Sequence, residues 1–157
     1  RTSARPRLVS GENLETFYAL ATRAKPAALG KQDTATGNGP IAAAYLYAGG
    51  HPNRSVQRLL AAFARSGFSV SHAGDLDPEG ILILQEIMDA AGTQVTPLRM
   101  DAATFDAHLA HSRELEKTAL SRVIMIRDDT RAIPGINGLL ERILATGRGV
   151  EQEIIEY

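Results

Sequence analysis

Short apolar runs alternate with stretches of helical spacing along this chain, and Gly, Pro, Asn or Asp marks most of the junctions. Residues 5–10 (RPRLVS) read as a strand that ends at Gly11-Glu12-Asn13. Asn13 caps a helix carrying Leu14, Phe17, Tyr18, Leu20 and Ala21, and Pro26 stops it. Residues 26–40, rich in Gly, Ala, Thr and Pro, read as an exposed loop. Residues 41–48 (IAAAYLYA) form a continuous apolar run before Gly49-Gly50, the pattern of a buried parallel strand. Asn53 or Ser55 caps a second helix, with Val56, Leu59, Leu60 and Phe63 on one face and Gly67 past its end. Residues 68–73 make a third strand. Pro78 suits the first turn of the next helix, which carries Ile81, Leu84, Ile87 and Met88 up to Gly92. Residues 94–100 read as a fourth strand, and Asp101 caps a helix over 102–111.

Strand and helix therefore alternate from residue 6 to about residue 111. That order predicts an α/β fold with a mainly parallel central sheet and helices on both faces. In the last third, residues 121–126 read as either helix or strand. Residues 136–145 read as a helix ending at Gly147 and Gly149, and residues 151–157 as a short acidic ending. There is no internal repeat and no low-complexity tract. A chain of 157 residues is long enough for one domain with a real core, expected here over residues 1–157. It begins at Arg1 rather than Met, so a piece of a longer protein, or a processed one, is expected.

Composition narrows the chemistry. Only 5% of residues are aromatic and Trp is absent, which argues against single-strand binding on stacked aromatic platforms. Net charge is −1, so no global basic field marks a nucleic-acid binder, and contact with a polyanion must be local or metal-mediated. Cys is absent, which removes thiolate catalysis, Cys-ligated zinc and disulfides, and fits a cytoplasmic, reducing compartment. No apolar run reaches the roughly 18 residues of a bilayer span, so no membrane role is expected.

The segment His72-Ala73-Gly74-Asp75-Leu76-Asp77-Pro78-Glu79-Gly80 holds the candidate chemistry. Sites on alternating α/β chains lie at the carboxyl ends of strands, where Asp75, Asp77 and Glu12 all fall. Three carboxylates brought together there suit a hard cation such as Mg²⁺ and a phosphate. Rival readings remain at this point. Asp before Pro is also ordinary turn and cap chemistry. Asp75, Asp77, Glu79, Gly80 and Glu86 match EF-hand spacing, although a strand precedes them and Pro78 interrupts them. A sugar-nucleotide site or an aspartyl phosphoryl-transfer nucleophile uses similar acids, without further support along the chain.

Other residues carry weaker signals. Gly49-Gly50 before Pro52-Asn53-Arg54-Ser55 makes either a phosphate-binding turn at a helix N-terminus, with Gly50 and Arg54 as donors, or a tight turn with a solvated Arg. His51 and His72 are ligands or simply packing residues. Arg1, Arg5 and Arg7 form a solvated start or contact a nucleic-acid backbone. Tyr18, Tyr45 and Tyr47 read as core rather than nucleophiles, so strand breakage would be hydrolytic. Glu151 and Glu153 on their own read as solvated acids near a terminus.

A strand-end Glu followed by Asp-x-Asp-x-x-Gly resembles the Toprim domain of topoisomerases, primases and related nucleases, and the Gly-Asp-x-Asp-Pro-x-Gly form is similar to that of the topoisomerase VI A subunit. The closer resemblance is to the C-terminal domain of the Wadjet anti-plasmid nuclease subunit (JetD) family. It is carried by Glu12-Asn13-Leu14-Glu15-Thr16-Phe17, Gly49-Gly50-His51-Pro52-Asn53-Arg54, Gly74 to Gly80 and Glu151-Gln152-Glu153, with Met100-Asp101 before a helix. It covers residue 8 to the end. Val150 departs from the Leu that the family favours there, and the 26–40 loop diverges. The resemblance implies a Toprim-like, Mg²⁺- or Mn²⁺-dependent DNA endonuclease domain in an anti-plasmid defence complex. Condensin-like SMC subunits would be partners, plasmid DNA the substrate, and homo-oligomerisation would run through parts outside this chain, with winged-helix-like segments preceding it. It further implies that Glu12, Asp75 and Asp77 are catalytic metal ligands and that Glu151 and Glu153 complete the site. A non-catalytic DNA- or partner-binding module and a topoisomerase VI A-like strand-cleaving subunit are the alternatives.

Overall fold

The computed structural model describes residues 5–23, 43–129, 133 and 135–157. The expected 26–40 loop, the stop at Pro26, the start of the second strand at residues 41–42 and Arg1 lie outside these.

The elements are β1 (Arg7–Gly11), α1 (Leu14–Arg23), β2 (Ala43–Tyr47), α2 (Arg54–Arg65), β3 (Ser69–Ala73), α3 (Pro78–Ala91), β4 (Val95–Pro97), α4 (Ala102–His108), β5 (Arg113–Glu114), α5 (Lys117–Asp128), α6 (Ile136–Thr146) and β6 (Arg148–Gly149). Single 3₁₀ turns follow at Leu109–His111 and Gln152–Ile154. β1 to β4 form one sheet in the order β2-β1-β3-β4, every pair parallel, with helices flanking it. This is the α/β architecture expected from the alternating pattern.

Local chemistry explains most of the boundaries. The Asn53 side chain accepts from the backbone N–H of Ser55 at 2.9 Å and of Val56 at 3.1 Å, which starts α2. Asp101 does the same for α4 through Thr104 N–H at 2.7 Å. Pro78 opens α3 and Gly92 closes it in the left-handed conformation, with φ 64°. The core joins β1 and β3 to the apolar face of α3, with Leu8, Val70, Ile81, Leu84 and Ile87 against Leu60, Phe105, Leu139 and Ile143. Each such side chain contributes about 1.5–3 kcal/mol when fully buried, so α3 is the most heavily anchored helix.

Four expectations change. Among the described residues β2 is an edge strand with partly exposed residues, not a buried one, because there it is hydrogen-bonded to β1 only. Tyr18 and Tyr47 are accordingly 58% and 42% exposed rather than core. Residues 121–126, open between helix and strand in the sequence, belong to a helix, α5, which is no reversal. The helix expected over 102–111 breaks at His108 into a 3₁₀ turn, and the fourth strand shortens to three residues.

The C-terminal segment returns to the sheet. β5 pairs antiparallel with β6, and Leu76 and Val150 exchange backbone hydrogen bonds of 2.8 and 3.2 Å. This lays residues 150–153 along the loop that follows β3. Among the described residues, no helix is long and apolar enough to cross a membrane.

Candidate functional site

β1 and β3 are neighbours, with Gly11 opposite Ala73, so Glu12 and the Gly74-Asp75 turn leave the sheet side by side. Glu12 N–H donates to the Ala73 carbonyl at 3.1 Å. The Asp75 N–H in turn donates to Glu12 Oε2 at 3.3 Å. The two strand ends thus meet as parallel topology requires. From the returning C-terminal segment, Gln152 N–H donates to Asp75 Oδ1 at 2.7 Å. The Gln152 side-chain oxygen accepts from Asn13 N–H at 3.0 Å, and the Asn13 amide donates to Glu153 Oε1.

These residues line one open cleft of about 400 Å³, which holds Glu12, Asp75, Glu151 and Glu153 together with Asn13, Leu14, Tyr47 and Gly50. Among the described residues no Lys or Arg lines it, and four carboxylates share the cleft. Burial, then the Asp75 charge, raises the Glu12 carboxyl from its usual 4.5 to about 7. Burial likewise raises Asp75 from 3.8 to about 6, with Asp77 and Glu151 adding repulsion and the Gln152 N–H opposing it.

Asp77 is placed differently. It is 4% exposed. Its Oδ1 caps α3 by accepting from Gly80 N–H at 2.9 Å, and its Oδ2 pairs with Arg113 Nη2 at 2.8 Å. It faces a neighbouring cleft that also contains Arg113, Arg122 and Glu79. Arg113 Nε reaches Glu151 Oε1 at 3.3 Å, so Glu151 borders both clefts. Arg54 is exposed at the start of α2 and does not line the acidic cleft. Gly50 does line it.

The donor chemistry of the acidic cleft, dominated by carboxylate oxygens of which only Glu151 has a cation beside it among the described residues, fits a hard divalent cation. Among the described residues, no three His, Asp or Glu groups stand ready as a cluster that would hold an ion. Mg²⁺ needs only one or two protein carboxylates beside waters and phosphate oxygens, and Glu12 with Asp75 supplies two.

The two candidate histidines, His51 and His72, both have protein partners. His51 is exposed between Glu79, at 2.7 Å from Nε2, and Glu86, at 3.0 Å from Nδ1. Those two acids raise its pKa. With Glu79 and Glu86 turned to His51 and Asp77 to Arg113, the EF-hand spacing does not close around one point. His72 is fully buried, which lowers its pKa to about 3 and keeps it neutral. Its Nδ1 lies 3.0 Å from Ser10 Oγ. Ser10 Oγ also lies 3.3 Å from the Ser71 carbonyl, and His72 Nε2 is buried without a partner among the described residues. A Cβ at Gly74 would lie 2.9 Å from both this nitrogen and Glu12 Oε2, so a side chain there would have to displace the buried His72 ring and the Glu12 carboxylate.

Sequence reasoning missed Arg113, Gln152 and the linking role of Asn13. Arg113 sits on a two-residue strand with no periodic signal. Gln152 was visible only as the middle of the Glu-Gln-Glu triplet, yet its backbone N–H and its side-chain oxygen both serve the site.

The sequence model of a family described as "Protein of unknown function C-terminus (DUF2399)" matches residues 9–155. Among curated proteins, the chain is similar to the Wadjet protein JetD of Bacillus cereus (strain Q1). The two are 28% identical over 116 residues, which is 71% of this chain and 28% of that relative. The match therefore spans under a third of the curated relative's length.

Proposed function

The chain belongs to the family of unknown-function C-termini designated DUF2399, and from that premise we propose that it is a Toprim-like, metal-dependent DNA endonuclease domain. The similarity to Wadjet protein JetD supports a place in anti-plasmid defence, with plasmid DNA as substrate and condensin-like subunits as partners. It also supports a domain that works as the C-terminal part of a longer protein, whose other parts select DNA. The observation that carries the reading is the cleft of four carboxylates at the carboxyl ends of two adjacent parallel strands, with no cation among the described residues of its lining.

In this reading Glu12 and Asp75 hold Mg²⁺ or Mn²⁺, while Glu151 and Glu153 steady the outer face of the cleft. A bound ion supplies Lewis acidity to the scissile phosphate and lowers the pKa of an attacking water. The remaining work falls to the chain itself. Gln152 and Asn13 fix the two acids through the hydrogen bonds already described. Gly50 and Arg54 approach the flanking phosphates. Asp77 takes part from behind, as the cap that locks the Asp75 loop onto α3.

The inward position of Asp77 favours one alternative, a non-catalytic DNA- or partner-binding module in which this acid is purely structural. The exposed ring of Tyr47 beside the acids gives a topoisomerase-like reading a nucleophile to test. Incubation of the full-length protein with supercoiled plasmid and Mn²⁺ separates the three. The nuclease reading expects nicking or linearisation with protein-free ends, abolished in Glu12→Ala and Asp75→Ala at nearly unchanged melting temperature. Cleavage that survives both changes sinks it. Binding without cleavage supports the module, and protein-linked ends that disappear in Tyr47→Phe support the topoisomerase.

A further inference from the structure

Arg113 is the side chain of this region that neither the motif nor the cleft called for. Asp77 is buried, and a buried carboxylate is stable only when paired and hydrogen-bonded. One oxygen is used by the Gly80 N–H, and Arg113 takes the other at 2.8 Å. The same guanidinium reaches Glu151 at 3.3 Å. It therefore bridges the innermost acid of the Asp-x-Asp segment and an acid of the open cleft.

The backbone holds it there. Arg113 lies on β5, opposite Gly149 of β6, and a Cβ on Gly149 would stand 2.9 Å from the Cβ of Asp77. The Leu76–Val150 bridge locks the same segment from the other side. Arg113 is nonetheless half exposed, at 52%, and a guanidinium has five N–H donors in a planar fork. Some of these stay available to a phosphate.

Building on the nuclease reading, we propose that Arg113 is the second cation of the site: the cleft takes one divalent ion, at Glu12 and Asp75, and the guanidinium between Asp77 and Glu151 supplies the positive charge that a second ion would supply elsewhere. A two-metal site needs two ions about 4 Å apart, each with its own oxygen ligands. Once Glu12 and Asp75 hold the first ion, Asp77 and Glu151 are the acids left for a second, and both are on Arg113. Glu153 is turned to Asn13. A bidentate guanidinium matches phosphate geometry better than a Lys would.

The test is the number of Mn²⁺ ions bound per chain, counted by electron paramagnetic resonance of free Mn²⁺ during titration of the full-length protein. Wild type binds one. Arg113→Gln, which frees Asp77 and Glu151, binds two, and Arg113→Lys, which keeps the charge, stays at one. Asp75→Asn binds none, which locates the first ion independently. Two ions on the wild type overturn the inference and leave the metal-site reading standing. So does a folded Arg113→Gln, verified by circular dichroism, that still binds one. Should Arg113→Gln not fold, the wild-type count decides, with one ion supporting the inference and two overturning it. No bound ion on the wild type overturns the metal-site reading and this inference together.

Discussion

Gly80→Ala probes the clamp that holds Asp75 in place. A Cβ there would lie 2.2 Å from the Asp75 carbonyl oxygen, 2.8 Å from its nitrogen and 2.9 Å from its carbonyl carbon. An ordinary C···O approach is about 3.3–3.6 Å, so the overlap exceeds about 1 Å and falls on backbone that no rotamer change can move. Either the first turn of α3 withdraws or the Asp75 peptide shifts. Withdrawal breaks the Gly80–Asp77 cap, and a shift breaks the Gln152 and Glu12 contacts to Asp75. Overpacking costs about 1–3 kcal/mol and a lost cap about 1 kcal/mol, for a total near 2–4 kcal/mol. At about 2–4 °C per kcal/mol for a chain of this size, the melting temperature falls by about 4–16 °C. Gly67→Ala is the control. Its φ is +86° with nothing within 4 Å of the added carbon, so only left-handed strain of about 1 kcal/mol applies. Thermal melts followed by circular dichroism compare the two, and Mn²⁺ titration of the folded fraction should show at least about tenfold weaker binding (about 1.4 kcal/mol) for Gly80→Ala alone. A Gly80→Ala protein that melts within 2 °C of wild type, or no lower than Gly67→Ala, refutes the clamp.

Two further predictions concern charge. Raised carboxyl values mean that the folded chain keeps protons the unfolded chain has already released, so Glu12 and Asp75 cost nothing below about pH 4 and erode stability as pH rises toward about 7. Mn²⁺ at about 100 times its Kd then adds about 2.7 kcal/mol at pH 8 and little at pH 5; melting shifts of equal size at both pH values contradict this. Asp77→Asn keeps an oxygen for the Gly80 cap but loses the Arg113 charge, whereas Asp77→Ala loses both, so urea denaturation should find the Ala variant about 1 kcal/mol less stable than the Asn variant; equal stabilities contradict the capping role.

The parts of this fold written in local chemistry were legible. Asn53, Asp101, Pro78 and Gly92 mark helix ends because a cap needs only its own neighbours, and the strand–helix alternation led directly to parallel strands with Glu12 and Asp75 at adjacent ends. Properties set by strand order were not legible. The apolar run ending at Tyr47 looks the same whether a neighbour covers one edge or both, and its pairing with β1, which sets Tyr47 opposite Gly11, is what brings Tyr47 to the cleft. Asp75 and Asp77 looked like a pair because they are two apart. The cap geometry at Pro78 turns Asp77 inward, and Arg113, 36 residues later, completes that turn. No pattern near either residue announces it.

The account rests on a cation bridging the ends of β1 and β3, and anomalous diffraction from crystals grown with Mn²⁺ locates it directly. The expected result is one peak per chain, about 2.1 Å from carboxylate oxygens of Glu12 and Asp75, with Arg113 still on Asp77. A peak at any other place, or none in that cleft at saturating Mn²⁺ and pH 8, contradicts the account.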